Sequence, residues 1–267
     1  MIDQIVFGTR GSSLALFQTD SVISKLKVLY PDILYKRKVI KTQGDKDQDS
    51  SLNLMEELGL FSNEIQSELV KNNIDAAVHS LKDVPVEHSE DLFLAAIPER
   101  VDAKDVLYHP EGLSINDLPT GSVVGTCSLR RRGQIRNLRK DIVIKDIRGN
   151  IQTRIDKVHS GEYDAIILAA AGLIRLGHDI SRYYVFYFDE IIPAPGQGAL
   201  AVETRRDNEM LIKMISRIDN LNIRKAVEVE RSILKHIGSG CSVPVGVFAS
   251  AVDDGLDIIA CHAAPDS

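Results

Sequence analysis

The sequence predicts an α/β protein of two or three domains. Short apolar runs alternate with segments whose apolar residues recur at helical spacing, as in strands connected by helices. At 267 residues, the chain has a length at which polypeptides commonly divide into more than one domain. A segment rich in proline and glycine at residues 192–199 interrupts the alternation in mid-chain, as expected where a chain crosses between domains.

The first unit opens with a predicted strand at residues 4–7, which a glycine-containing turn at 8–12 joins to a helix that Ser12 can cap. Pro31 ends this helix, whose inner face carries Ala15, Val22, Leu26 and Leu29. Residues 42–51 form a long polar loop of the kind that covers an active site. The other predicted elements are strands at 34–40, 75–79 and 92–97 and a helix at 61–70 with Ile65 and Leu69 on its buried side.

The second unit is expected from about residue 102 to residue 193, with the same alternation of strands and helices. The rest of the chain is predicted as a strand at 200–203, helices at 208–218 and 223–237, and a hairpin of strands at 245–251 and 256–262. The helix at 223–237 has Val227, Leu234 and Ile237 on its inner face. The segment at 192–199 would suit a return of the chain from the second unit to the first.

The composition argues against several classes of protein. The formal net charge is −6, tryptophan is absent, and the basic stretch described below lacks interleaved aromatic residues, so nucleic acid is not an expected partner. The chain starts without the basic segment of a signal peptide, and no apolar run approaches the roughly 20 residues that span a bilayer. Cys127, Cys241 and Cys261 are widely spaced and odd in number, which argues against disulfides or a metal site and favours a reducing, cytoplasmic location.

Positive charge is concentrated against this acidic background between residues 128 and 154, which contain seven arginines. Two apolar runs, at 122–125 and 142–144, each lead through a polar turn to a predicted helix start with arginines nearby. Unpaired N–H groups at a helix start and the fork of donors on arginine both favour anions. Two such starts predict a ligand with several anionic groups, and a solvated basic helix face is the alternative. Arg136 and Arg139, deeper in the helix, are expected to lie on such a solvated face.

Two further features could carry chemistry. Lys82 and Asp83 occupy a turn beyond the carboxyl end of a buried strand, where ligands of α/β sheets bind. Cys241 follows a glycine in a flexible turn, which leaves its thiol without bulky cover and is compatible with a covalent attachment. The structural alternatives are a helix cap for Asp83 and a small buried residue for Cys241.

Taken together, these stretches resemble the porphobilinogen deaminase family. The resemblance rests on segments that match the family from end to end of the chain. They are GTRGSSLAL at 8–16, DAAVHSLKDVP at 75–85, GTCSLRR at 125–131, RGN at 148–150, EYDAIILAAAGLIRLG at 162–177, PGQGA at 195–199 and GCSVPVG at 240–246.

The resemblance implies two domains built like type II periplasmic binding proteins and a third, small α+β domain that carries the cysteine. On this sequence we expect them at residues 1–98 with 194–205, at 99–193 and at 206–267. The implied activity is that of hydroxymethylbilane synthase, a transferase of haem and tetrapyrrole biosynthesis. In that reaction, porphobilinogen molecules lose ammonia and are joined on a dipyrromethane cofactor, and hydrolysis then releases hydroxymethylbilane. The resemblance further implies that Cys241 holds the cofactor through a thioether, that Asp83 is catalytic, and that the enzyme is a cytoplasmic monomer without a metal.

The family also implies which side chains bind the cofactor and the substrate. Every pyrrole ring brings an acetate and a propionate, so the growing chain is a polyanion that arginine forks suit. Lys82 would keep the neighbouring Asp83 ionised, and that carboxylate could stabilise the cation formed as ammonia leaves and assist proton transfer. The matching binding positions are Arg10, Ser12, Lys82, Thr126, Ser128, Arg130, Arg131, Arg148, Gly149, Arg154, Arg175 and Gln197.

The chain departs from the family pattern in two places. Leu58 and Asn63 stand where relatives carry lysines, which should weaken binding of substrate carboxylates or loosen the covering loop. The third domain is short, and a hairpin with one helix makes a thin core. Two alternatives to the enzyme therefore stay open, namely a non-enzymatic small-anion binder of the periplasmic-binding-protein type and a paralogue that has lost turnover.

Overall fold

The structure is a computed structural model that describes residues 2–42, 63–87, 89–238 and 243–263. The chain divides into two compact units, of which the first contains Met1–Arg100 and Ala199–Glu228 and the second contains Val101–Gly198 and Val229–Ser267. The second crossing between them lies inside the proline- and glycine-rich segment that the sequence marked. The division into three domains stays a prediction.

The strands and helices follow the predicted alternation. In chain order, the strands are β1 (Gln4–Thr9), β2 (Leu34–Val39), β3 (Ala76–Ser80), β4 (Leu92–Ala96), β5 (Asp105–Tyr108), β6 (Val123–Gly125), β7 (Val143–Lys145), β8 (Ala165–Ala169), β9 (Tyr184–Val185), β10 (Leu200–Arg205), β11 (Val245–Val252) and β12 (Gly255–His262). The helices are α1 (Ser13–Leu29), α2 (Asn63–Val70), α3 (Leu129–Leu138), α4 (Ile151–His159), α5 (Ala170–Arg175), α6 (Glu209–Ile215) and α7 (Leu221–Gly238).

The first unit is built on a five-stranded sheet of order β2-β1-β3-β10-β4. β1 pairs in parallel with β2 and β3, whereas β10 runs antiparallel to β3 and β4. Phe7, Val22 and Val202 belong to the buried core that α1 covers. Leu29 is 44% exposed, contrary to the prediction, because it lies in the last turn of α1, beyond Leu26, the last of the helix residues that pack in this core.

The second unit is built on a sheet of order β7-β6-β8-β5-β9. β6 pairs in parallel with β7 and β8, and β5 is antiparallel to β8 and β9. Leu107, Ile135, Ile167 and Phe186 are fully buried in one of its clusters. The short strands β5 and β9 had no clear signal in the sequence, because runs of four and two residues are too short to establish a period of two.

The C-terminal hairpin pairs β11 with β12. It packs on Pro193, which belongs to the proline- and glycine-rich segment at residues 192–199, called the crossing segment below. Val247 N donates to Pro193 O at 2.9 Å, and the Phe248 ring stacks on Phe188 with their centroids 4.2 Å apart. Helix α7 precedes the hairpin in the chain. Leu234 on this helix is buried as predicted, but Ile237 is 45% exposed because it lies in the final turn, where the helix ends.

Several predicted features lie outside the described residues. They are the polar loop at 43–51, Leu58 and Cys241. In the portions of the chain that the structure describes, there is no helix with the length and hydrophobicity needed to cross a membrane.

Candidate functional site

In the first unit, two of the predicted ligand-binding turns leave the same edge of the sheet. β1 and β3 are parallel neighbours, so their carboxyl ends point the same way. β1 leads into the turn that contains Arg10 and Ser12, and β3 leads into a single 3₁₀ turn at Leu81–Asp83. Ser12 caps α1 as predicted, with its hydroxyl accepting from the Ala15 N–H at 3.3 Å.

The turn that carries Asp83 is anchored by its apolar residues. Leu81 and Val84 are buried, and Leu81 N donates to Ala199 O at 2.9 Å. Lys82 and Asp83 are only half-buried. Among the described residues, the Asp83 carboxylate has no hydrogen-bond or ion-pair partner, so it does not form the helix cap that was its structural alternative.

A buried polar cluster supports the strands behind this edge. His79 Nε2 lies 3.1 Å from Glu203 Oε2, and Gln66 Nε2 donates to both carboxylate oxygens of Glu203 at 3.0 and 3.1 Å. Gln18, also buried, donates to Ser80 Oγ at 2.9 Å. None of these side chains stood out in the sequence, because each belongs to a run that reads as an ordinary helix or strand.

In the second unit, the two arginine-bearing helix starts lie side by side. β6 and β7 are parallel neighbours and continue into α3 and α4. Ser128 caps α3, with its Oγ accepting from Arg131 N at 3.4 Å, and Asn150 caps α4, with its Oδ1 accepting from Thr153 N at 2.9 Å. Thr126 Oγ1 accepts from Ser128 N at 3.2 Å and so orders the turn before α3. The sequence therefore predicted both helix starts correctly.

Arg130 and Arg131 converge on one buried carboxylate, that of Asp105. Arg130 Nη1 donates to Asp105 Oδ2 at 2.7 Å, and Arg131 Nη2 and Nε donate to Asp105 Oδ1 at 2.6 and 3.2 Å. Gln197 Nε2 donates to the same Oδ1 at 2.9 Å. Asp105 is 0% exposed, and the two arginines are 5% and 7% exposed. The sequence analysis named Arg130, Arg131 and Gln197 as site residues. It did not identify Asp105, which accepts hydrogen bonds from all three.

The electrostatics of this cluster favour full ionisation. Burial raises the pKa of the Asp105 carboxyl, but attraction to Arg130 and Arg131 and their hydrogen bonds outweigh burial and hold that pKa well below its usual range. Burial lowers the pKa of Arg130, yet a guanidinium stays protonated in proteins. Two guanidinium groups against one carboxylate leave one excess positive charge, which suits an anionic ligand.

The crossing segment is held by residues of the same unit. Gln197 is fully buried and its Nε2 also donates to Ala103 O at 2.6 Å. Arg175 is buried too, and its Nη2 donates to Gly198 O at 2.8 Å. Gly198 has φ +85, and a Cβ at this position would lie 2.6 Å from Val101 O, so glycine is required here.

The second helix start presents Arg148 and Arg154, which are half-buried. Arg154 Nε donates to Gly149 O at 2.7 Å. Gly149 has φ +111, and a Cβ there would lie 2.7 Å from Thr153 Cγ2. Burial and then repulsion from Arg131 lower the pKa of Arg154, so the arginines of α3 and α4 interact across the two helix starts.

Arg139 does not lie on the solvated face that its sequence position suggested. Its Nε and Nη2 donate to the two Asp141 oxygens at 2.8 and 2.7 Å. Its remaining donors reach the carbonyl oxygens of Ile115, Asn116 and Leu118 at 2.8 to 3.0 Å. Arg139 therefore ties the end of α3 to the loop before β6, a structural role that depends on contacts distant in the sequence.

Two of the three thiols, those of Cys127 and Cys261, lie in partly buried surroundings. Cys241 lies outside the described residues. Cys127 Sγ donates to Ile147 O at 3.0 Å, and burial, reinforced by Asp146, raises the pKa of this thiol. Burial also raises the pKa of the Cys261 thiol. Because the thiolate is the reactive form, neither Cys127 nor Cys261 has the environment of an activated nucleophile.

Comparison with known proteins relates almost the whole chain to one family. The family model described as "Porphobilinogen deaminase, dipyromethane cofactor binding domain" matches residues 5–213, and that of the "Porphobilinogen deaminase, C-terminal domain" matches residues 224–267. The chain is 45% identical over 264 residues to the porphobilinogen deaminase of Geobacillus kaustophilus, covering 98% of this chain and 85% of the relative. It is 43% identical over 253 residues to that of Thermus thermophilus, covering 94% and 82%.

Solved structures confirm the predicted fold class. The methionine-binding protein MetQ superposes with a TM-score of 0.52 at 12% identity, covering 86% of this chain and 94% of that one. A substrate-binding domain of an amino acid ABC transporter from Streptococcus pneumoniae gives 0.52 at 14% identity, covering 88% and 94%. At such identities the likeness shows the fold alone, which is that of type II periplasmic binding proteins.

Proposed function

The chain belongs to the porphobilinogen deaminase family, and from this premise we propose how its residues divide the work of the reaction. The enzyme is a hydroxymethylbilane synthase, a transferase of porphyrin and haem biosynthesis. It deaminates porphobilinogen, condenses four molecules head to tail on a covalently bound dipyrromethane primer, and releases hydroxymethylbilane by hydrolysis. A non-enzymatic anion binder is not favoured, because the relatives matched over nearly the whole chain are this enzyme.

We assign the catalytic carboxylate to Asp83. The observation that carries this assignment is a half-buried carboxylate at a sheet edge with no structural partner among the described residues. When ammonia leaves porphobilinogen, positive charge develops on the pyrrole nitrogen, and the α-carbon that forms the new bond must later lose a proton. A fixed carboxylate can stabilise that charge and accept or return the proton.

We assign the binding of acetate and propionate groups to arginines at the two helix starts of the second unit, together with Arg10, Ser12 and Lys82 of the first unit. Guanidinium forks match carboxylates in geometry and charge. A hydrogen bond to a charged group contributes roughly 1.5–3 kcal/mol, so loss of one such arginine should cost about tenfold or more in affinity. Arg131→Ala and Arg148→Ala are expected to lose the most cofactor, measured by intact mass. A loss no larger in these two than in Arg136→Ala would contradict the assignment.

The residues present fit a dipyrromethane group. Its carboxylate side chains need several fixed cations, and the Asp105 cluster and the start of α4 supply guanidinium groups with one excess positive charge in the cluster. When bound, the dipyrromethane supplies the pyrrole carbon to which the first substrate is joined. We propose that Cys241 holds it through a thioether, because Cys241 matches the attachment position implied by the family resemblance. Burial raises the pKa of the Cys127 and Cys261 thiols, which disfavours the reactive thiolate at those two positions.

The decisive experiment for Asp83 is Asp83→Ala, with intact mass measured beside turnover. We expect turnover to fall by about 10²–10⁴-fold, the range of a lost general acid or base, while the dipyrromethane adduct is retained. Asp83→Glu keeps the charge and should retain part of the activity. The matched control is Asp179→Ala, which removes a carboxylate that accepts from Ser181 N at 3.0 Å in an exposed turn and should leave turnover unchanged. Near-normal turnover of Asp83→Ala would remove the assignment.

Attachment at Cys241 is tested separately by mapping the adduct. Peptides of the denatured protein should carry the dipyrromethane mass on Cys241. An adduct on Cys127 or Cys261, or an active enzyme without any adduct, would contradict the proposal.

We further propose a monomeric enzyme in a reducing, cytoplasmic compartment and the three-domain division at 1–98 with 194–205, 99–193 and 206–267. The two described cysteines are unpaired thiols, which supports a reducing environment. Light scattering after size exclusion should give the mass of one chain, and a stable dimer would overturn this part.

A further inference from the structure

Asp105 lies where the arginine helix begins. It is the first residue of β5 and pairs with Ala169, the last residue of β8. β8 runs parallel to β6, so the end of β8 lies at the same sheet edge as the end of β6, from which the chain continues into α3. A fully buried carboxylate therefore occupies the edge of the sheet at which the anion-binding helix starts.

Asp105 accepts hydrogen bonds from only some of the N–H groups of Arg130 and Arg131. A guanidinium has five N–H donors. Arg130 uses Nη1 alone, toward Asp105 Oδ2 and toward Ile192 O, the latter at 2.7 Å. Arg131 uses Nε and Nη2 toward Asp105 Oδ1, and Nη1 toward Ile167 O at 3.0 Å. Each arginine thus keeps at least two N–H donors that no acceptor in the described chain takes.

The remaining donors of Arg130 reach accessible space. Its Nε and Nη2 atoms have no partner in the described chain, yet they are not among the buried polar atoms that lack one. These N–H groups are therefore open to solvent or to a ligand, although the side chain as a whole is more than nine-tenths buried. Such an arrangement, with one set of donors fixed by protein and the other set open, is what recognition of a carboxylate requires.

Charge explains why a carboxylate rather than a neutral group occupies this position. Two guanidinium groups held side by side repel one another, and their burial without a counter-charge would be strongly unfavourable. Asp105 compensates one of the two charges and leaves the other for the ligand. Gln197, which also donates to Asp105 Oδ1, fixes the carboxylate from the crossing segment.

We propose that Asp105 is the positioning residue of the carboxylate-binding site, holding the Arg130 and Arg131 forks so that the open donors of Arg130 and the adjacent Arg131 guanidinium face the acidic side chains of the pyrrole chain. The inference rests on the proposed function of these arginines. Because Asp105 is fully buried, its proposed action is through the two guanidinium groups and not by contact with the ligand.

The test is Asp105→Asn, made in the whole chain and purified from cells in which the dipyrromethane cofactor is formed. The amide nitrogen replaces one acceptor oxygen and turns a donor toward either Arg130 or Arg131. We expect the fraction of protein carrying the dipyrromethane mass to fall at least several-fold. In the loaded fraction, KM for porphobilinogen should rise about tenfold or more while kcat changes less, because the defect is in binding. Asp105→Glu keeps the charge and should recover part of both readouts.

Asp219→Asn is the matched control. Asp219 is a half-buried aspartate of the first unit that accepts from Ile97 N at 2.6 Å and from Arg224 Nε and Nη2 at 2.6 and 3.0 Å. This variant should lower Tm but leave the adduct fraction and KM unchanged. The comparison separates the loss of an aspartate–arginine ion pair that stabilises the fold from the loss of arginine positioning.

Three results would overturn the proposal. The first is a folded Asp105→Asn enzyme with the adduct fraction and KM of the wild type. The second is a pattern equal to that of Asp219→Asn, with a lower Tm only. The third is failure of both Asp105 variants to fold while Asp219→Asn folds, which would assign Asp105 to the fold alone. Absence of the adduct from the wild type would instead contradict the proposed function, so the two failures are distinguishable.

Discussion

Glu230 should be one of the most destabilising positions to change in the second unit. It is a fully buried carboxylate on α7. Its Oε2 accepts from Gly196 N at 2.7 Å, and its Oε1 accepts from Ala249 N at 2.7 Å. One side chain thereby connects α7, the crossing segment and the C-terminal hairpin. Glu230→Ala removes both acceptors and leaves two backbone N–H groups without that carboxylate.

The magnitude follows from these two bonds. A hydrogen bond to a charged group contributes roughly 1.5–3 kcal/mol, so loss of both should lower the free energy of unfolding by about 3–6 kcal/mol. For a unit of this size, each kcal/mol shifts Tm by about 2–4 °C. We therefore expect Tm to fall by about 6–24 °C. Glu230→Gln retains one carbonyl oxygen and should give an intermediate value.

Calorimetry and urea denaturation of the purified variants provide the measurement. The control is Glu228→Ala on the same helix, because the Glu228 side chain is 56% exposed and, among the described residues, pairs only with Arg224 across one turn at 3.3 Å. An exposed pair of this kind contributes little, so its Tm should stay within a degree or two of the wild type. A Glu230→Ala loss below about 1 kcal/mol, or equal to that of Glu228→Ala, would refute the reasoning.

Two further predictions concern the second unit. Arg139→Ala removes the N–H donors that bind Asp141 and the carbonyl groups of the loop before β6. We expect Tm to fall by a few degrees while kcat and KM stay unchanged. A specific loss of turnover would contradict the structural role of Arg139. The pKa of Asp105 is depressed in the folded protein relative to about 3.9 in the unfolded chain, so its contribution to stability is fully present above that value and is lost as pH falls toward the folded pKa. Stability of the wild type should therefore fall more steeply with pH below about 4 than stability of Asp105→Asn, and equal slopes in acid unfolding would contradict the buried ion pair.

Local patterns allowed much of the fold to be predicted. The apolar runs placed β1 and β3 within two residues of their observed bounds, and the polar turn after β6 placed the start of α3 at Leu129. Ser12 and Ser128 cap the helices they precede. Caps and periods are properties of neighbouring residues, so they can be identified without knowledge of the fold. Exposure at helix ends could not be identified in this way. Leu29 and Ile237 continue the apolar spacing of their helices but lie where packing stops.

The sequence by itself determined the order of elements, the family, and the residue types from which a polyanion site can be built. Only the tertiary structure shows which arginines share a buried carboxylate and which hold the carbonyl groups of a loop. Asp105 lies 25 residues before Arg130 in the chain, and the sheet brings its carboxylate within hydrogen-bond distance of that guanidinium. Arg139, by contrast, turns to the carbonyl groups of a loop more than 20 residues away. Both distinctions depend on partners distant in sequence, and the spacing of arginines along one helix contains no information about them.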